Sequence, residues 1–183
     1  MTGSADGARA ILDFWFEEIG PDRWWVRSRE TDSAITARFG RLWEEWRGRP
    51  ADRFLGTADK ALAAVILFDQ FPRNMFRGSA EAFATDPLAL AVAREAVARG
   101  LDATMTRDER HFLYMPFMHA EDLAAQDEGV ALFEALGLPE PLRFCQLHRD
   151  VIRRHGRFPA RNAALGRATR PEEKATIAET KDW

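Results

Sequence analysis

The sequence predicts an all-α fold, and three observations carry that reading. Apolar residues recur at spacings of three and four along most of the 183 residues. Glycine and proline fall where those apolar stripes end. No β-branched, alternating run bounded by turn residues is present, so a sheet is not expected.

Taken in order, Leu12, Trp15, Phe16 and Ile19 mark the first helix, and Gly20-Pro21 stops it. Ile35, Phe39, Leu42, Trp43 and Trp46 form the stripe of a second helix, closed by Gly48 and Pro50. Thr57 is placed to cap a third helix, Ala58 to about Gln70, whose centre is apolar all round and therefore expected inside. Phe71-Pro72-Arg73-Asn74 is expected to break that helix. Asp86 reads as the cap of the next, with Pro87 in its first turn and Gly100 past its end. Thr106 to Glu109 matches a capping box, and Pro116 should kink or end the helix that follows. A helix from about His119 to Leu136 stops at Gly137. The last long one begins at Pro139 or Glu140 and ends at Gly156. The remainder reads as loop with a short helix around Pro171. Lengths and short connections suggest stacked antiparallel helix pairs in one domain, residues 1–183, with 1–7 and 174–183 as loose termini.

Composition narrows the function classes. Hydrophobic residues make up 46% and charged residues 30% of the chain, which is globular rather than disordered. A net charge of −3 supplies no global basic field, so a nucleic-acid partner is not expected. Of 26 basic residues all are Arg except Lys60, Lys174 and Lys181. That excess fits either codon usage or bidentate anion recognition. The one cysteine, Cys145, precludes an internal disulfide and reads as a packed small hydrophobe in a cytoplasmic protein. The longest uninterrupted apolar run, Ala61 to Phe68, is far below the ~20 residues of a membrane span, so no membrane partner is expected.

Chemistry concentrates in three segments. The first is Asp69-Gln70-Phe71-Pro72-Arg73-Asn74 with Arg77-Gly78. The second is Tyr114-Met115-Pro116-Phe117-Met118-His119-Ala120-Glu121-Asp122 with Gln126. The third runs through His148-Arg149-Asp150, His155-Gly156-Arg157-Phe158-Pro159, Arg161-Asn162 and Leu165-Gly166-Arg167. With Leu12-Asp13-Phe14-Trp15-Phe16, these motifs resemble a bacterial family classed as domain of unknown function 924, from about Ile11 to Glu173. The resemblance implies an all-helical fold similar to the tetratricopeptide-like superhelices, without regular repeats. It implies no activity.

Phe71-Pro72-Arg73-Asn74 is echoed by Phe158-Pro159-Ala160-Arg161-Asn162. Each echo is either a helix-termination device or one half of a paired anion clamp. On a helix starting near His119, the residues His119, Asp122 and Gln126 share a face, although acidic residues in a first turn also suit the helix dipole. His148 lies mid-helix and needs a buried partner, for which Asp122 or Asp69 is available. His119 and His148 with Asp122 or Glu121 would make a metal-type set, but the tight His spacing is missing and no metal ligand is assigned. Which cofactor, if any, is used stays open.

The leading expectation is a cleft between helices for a small anionic metabolite, with hydrolytic or phosphoryl chemistry. His119, Asp122, His148 and Asp69 are its candidate catalytic groups. Gln70, Arg73, Asn74, Glu121, Arg157, Arg161 and Asn162 are its candidate substrate-binding groups. The alternative is a helical scaffold for a peptide or protein partner, in which the same residues are structural. RNA contact by the Arg-rich segments comes last. Trp24-Trp25 is hard to bury on both sides, so one of the pair is expected at the surface.

Overall fold

The computed structural model describes residues 3–180, with side chains from Asp6 onward. Among them every regular element is helical. Residues 1–2 and 181–183, part of the expected loose termini, lie outside the described residues.

The first helix, α1 (Gly3–Leu12), continues as a π-helical segment, Asp13–Ile19, and ends at Gly20, whose φ of 69° glycine adopts without strain. The second, α2 (Arg29–Trp46), is capped by Ser28, whose side chain accepts from Thr31 N. Helix α3 (Ala58–Val65) is capped by Thr57, and all its residues from Ala61 to Val65 are buried, as its all-round apolar centre requires. It packs against α1, against α5 (Asp86–Ala98) and against α6 (Arg107–His119). Next, α7 (Leu123–Leu136) stacks on α6, and α8 (Pro139–His155) stacks on α7. Short helices complete the set: α4 (Phe71–Met75) after α3 and α9 (Lys174–Glu179) at the C-terminal end.

Four local expectations change. Phe71-Pro72-Arg73-Asn74 does not break the third helix. The backbone widens into a π-helical segment, Ile66–Gln70, and re-enters α-geometry with Pro72 in the first turn of α4. Proline there has no N–H for the Phe68 carbonyl. The Thr85 hydroxyl donates to that carbonyl at 2.6 Å instead, and in turn accepts from Trp43 Nε1 at 3.2 Å. Asp86 is not a cap. The cap position is Thr85, and the Asp86 side chain serves another purpose. Pro116 lies inside α6, which runs on to His119. His119 therefore ends α6 rather than starting α7. Ala120 is extended, and Gln126 Nε2 donates to the carbonyls of Met118 and Ala120 at 2.6 and 2.8 Å.

The core is aromatic. Phe14, Phe39 and Phe71 form one knot, and Trp15 meets Phe71 and Phe112 edge-on at 5.7 and 5.4 Å. Close packing extends to Gly129, where a Cβ would come within 2.9 Å of Phe117 Cβ. Cys145 is buried, and burial pushes its thiol up to about 12, which suits packing rather than reactivity.

Candidate functional site

The two π-helical segments and the end of α6 meet at one place. The first supplies Trp15, and the second supplies Asp69 and Gln70. π-turns re-aim side chains by one position and recur at functional sites. Beside them opens a cleft of about 460 Å³, walled by Trp15, Gln70, Arg73, His119, His148 and Arg161, among others. That volume lies within the range of small-molecule pockets, ~300–1,000 Å³.

Asp69 is fully buried. His119 Nδ1 donates to both of its carboxylate oxygens, at 2.8 and 2.9 Å. Gln70 Nε2 donates to the same carboxylate at 2.5 Å. Burial would raise the Asp69 pKa, but Arg73, His119 and Gln70 outweigh it and hold the group well below the usual carboxylate range. Burial lowers the His119 pKa, so the imidazole is neutral even beside a carboxylate. A carboxylate only accepts, so the proton sits on Nδ1 and the Nε2 lone pair is left as a base. His148 lies 6.2 Å away, ring to ring, and burial holds it neutral with a pKa of about 3. Its Nδ1 bonds the Phe144 carbonyl at 2.8 Å.

The echoing motifs converge on Asp86. Arg73 forks onto it with two bonds of 3.0 Å, and Arg161 reaches it at 3.2 Å. Arg73 also donates to the Asp69 carbonyl, and Arg161 to the His119 carbonyl at 2.9 Å. The Arg161 guanidinium lies 4.6 Å from the ring centroids of both Phe83 and Phe158. Burial and the neighbouring Arg73 lower its pKa to about 10, so it remains a cation at neutral pH. Nearby, Asn74 and Arg77 both bind Asp32, at 2.8 Å and at 2.7 and 2.9 Å, and both line the cleft.

The structure does not bring the remaining expected site residues to this cleft. Asp122 caps α7, accepting from Ala125 N at 2.8 Å. Glu121 accepts from Phe158 N at 2.7 Å and from Arg167 at 2.7 and 2.9 Å. Arg157 forks onto buried Glu173 at 2.7 and 2.9 Å, and Asn162 joins it there at 2.9 Å. The shared-face argument for His119, Asp122 and Gln126 fails because those residues belong to two helices. Among the described residues, no group of three or more His, Cys, Asp or Glu side chains is placed to hold a metal ion.

Asp86 was missed because an acidic residue before Pro at a helix start is indistinguishable from a cap. Its partner Arg161 lies 75 positions away. Trp24-Trp25 divides as expected. Trp24 is partly covered and donates to the Trp15 carbonyl at 2.8 Å, while Trp25 is 58% exposed at the cleft wall.

Fold and site together define a helical protein with a basic cleft whose wall carries His119, backed by buried Asp69. The chain belongs to the family described as bacterial protein of unknown function (DUF924), whose model matches residues 11–181. It is similar to a solved protein of unknown function, ATU0120 from Agrobacterium tumefaciens. The two are 43% identical with a TM-score of 0.90, over 96% of this chain and 99% of that one. No curated protein matches the chain.

Proposed function

We propose that the cleft binds a small anionic metabolite and that His119, oriented by Asp69, moves a proton during its hydrolysis. The observation that carries this reading is the charge of the wall. Its ionisable side chains are Arg27, Arg73, Arg77, Arg161, His119 and His148, and no carboxylate is among them. Asp32, Asp69 and Asp86 sit behind the arginines and hold them in place. Among the described residues Arg73 makes three hydrogen bonds and Arg161 two, against the five N–H groups of a guanidinium, so a guest carboxylate or phosphate has donors to meet.

In the hydrolytic step His119 Nε2 takes a proton from water as the water oxygen bonds to the electrophilic carbon or phosphorus. The imidazolium then returns that proton to the leaving oxygen, and Asp69 stabilises the transient charge. The same reading treats residues 1–183 as one cytoplasmic domain. The serial packing of α5, α6, α7 and α8 supports a tetratricopeptide-like superhelix as its scaffold.

The test is the thermal midpoint of the protein against phosphate, nucleotides and organic acids. A ligand at ~100 times its dissociation constant adds about 2.7 kcal/mol. The expected result is a shift with at least one anion that disappears in Arg161→Met. His119→Gln should keep the shift and lose ~10²-fold or more of any hydrolytic turnover. No shift with any anion would overturn the reading.

A further inference from the structure

The proposed anion site has a second half that its charge does not explain. Opposite in character to the arginines, the wall also contains Trp15, Trp24, Trp25, Phe83, Met115 and Phe158. We infer that the guest is an aromatic anion: a flat unsaturated ring system lying against the tryptophans, with its carboxylate or phosphate on Arg73 and Arg161. This inference rests on the anion reading above and names the class of molecule that the same cleft takes.

Three observations support it. First, Trp25 is 58% exposed and its neighbour Val26 is 54% exposed, and both border the cleft. Large exposed apolar residues gathered at the mouth of a pocket mark a binding surface more often than chance scatter does. Second, the Trp25 ring is held in a fixed plane. It lies near-parallel to His111 and to Phe112, at interplanar angles of 28° and 13° and centroid distances of 5.6 and 5.8 Å. A ring already oriented by its neighbours loses little freedom when a guest stacks on it. Third, the Trp15 indole, only 2% exposed on the cleft wall, has a buried Nε1–H with no acceptor among the described residues. A buried donor is normally paired. An acceptor atom on a heteroaromatic guest would give it a partner.

The arrangement also excludes simpler guests. Inorganic phosphate would satisfy the guanidiniums and leave the aromatic half uncovered. An aliphatic acid would cover that half without the face-to-face contact a flat ring makes. Arg161, stacked on Phe83 and Phe158, shows the same pairing of guanidinium and ring that an aryl anion would extend.

The experiment measures dissociation constants on the full-length protein by calorimetry and tryptophan fluorescence. The probes are inorganic phosphate, acetate, hexanoate, benzoate, 2-naphthoate and phenyl phosphate. The expected result is that aryl anions bind at least 10-fold tighter than the inorganic or aliphatic anion of the same charge group, with quenching of indole emission. Benzoate against phenyl phosphate reads which head group the arginines hold, tighter binding of either supporting the inference. Trp25→Ala, at a position 58% exposed, should cut the aryl-to-inorganic ratio to about 3-fold or less while the thermal midpoint of the unliganded variant checks that it is folded. Anions that bind without regard to the ring, or a ratio undiminished in Trp25→Ala, would overturn this inference and leave the anion site standing. Failure of every anion to bind would overturn both.

Discussion

Two regions of this molecule are each built from arginine around a carboxylate and end in opposite states. Around Glu173, the cluster is closed on itself. The carboxylate is wholly buried and accepts from Arg157, from Asn162 Nδ2 and from the Arg170 backbone N–H. The cluster ties α9 to the end of α8, and neither Arg157 nor Asn162 lines the cleft. Around Asp86, two guanidiniums share one carboxylate and both still face a cleft. Arginine beside carboxylate is thus no signature of a site. What separates the regions is open volume in front of the guanidiniums: Arg73 and Arg161 line the cleft and Arg157 does not.

The largest expected effect tests the cleft side of that contrast. Asp86→Ala leaves two partly buried guanidiniums without their shared partner, which costs at most about 3–5 kcal/mol, since Arg73 keeps Asp69. For a chain of this length that is a fall in thermal midpoint of roughly 6–20 °C. A loss below ~1 kcal/mol in urea unfolding would show that the Asp86 cluster is not the structural base of the cleft.

A pH titration separates the regions next. The pKa values of His111, His119 and His148 are lowered by burial, to about 4 for His111 and about 3 for His148. In the unfolded chain each titrates near ~6.5. Between about pH 6.5 and 4 the unfolded state therefore binds protons that the native state refuses. Stability falls as pH falls, by at most ~1.4 kcal/mol per pH unit for each histidine. Below pH ~4, protonation of Asp69, whose native pKa is also lowered, adds a further loss. Urea midpoints across this range should show the decline, with a shallower slope in His119→Gln. A flat profile would mean that these imidazoles are not held neutral.

The smallest effect probes the closed region. Asn162→Ala removes one donor from buried Glu173 and is expected to cost about 1–3 kcal/mol. Its affinity for whatever anion the cleft binds should stay within ~2-fold of the parent, because Asn162 does not line that wall. A tenfold loss would join the two regions that the geometry separates.

Much of the fold was legible because its signals are local. The stripe of Ile35, Phe39, Trp43 and Trp46, the Thr57 cap and the Thr106–Glu109 capping box all appear as read. The misreadings share one cause. Local rules make Pro72 a helix breaker and Pro116 a kink or an end, yet a π-helical register shift and the hydroxyl of Thr85, 17 positions from Phe68, accommodate the first, and α6 runs on past the second to His119. Asp122 looked chemical and is a cap, whereas Asp86 looked like a cap and is the centre of the arginine cluster.

By itself the sequence determined the helical class, most helix ends, and the short roster of residues able to do chemistry, since periodicity, caps and residue type act over a few positions. Only the tertiary structure decided which of them meet. Asp69 and His119 are 50 positions apart, and Arg161 and Asp86 are 75 apart. Such pairings depend on how helices pack against one another, and no local pattern encodes the register in which a buried carboxylate on one helix faces the end of another.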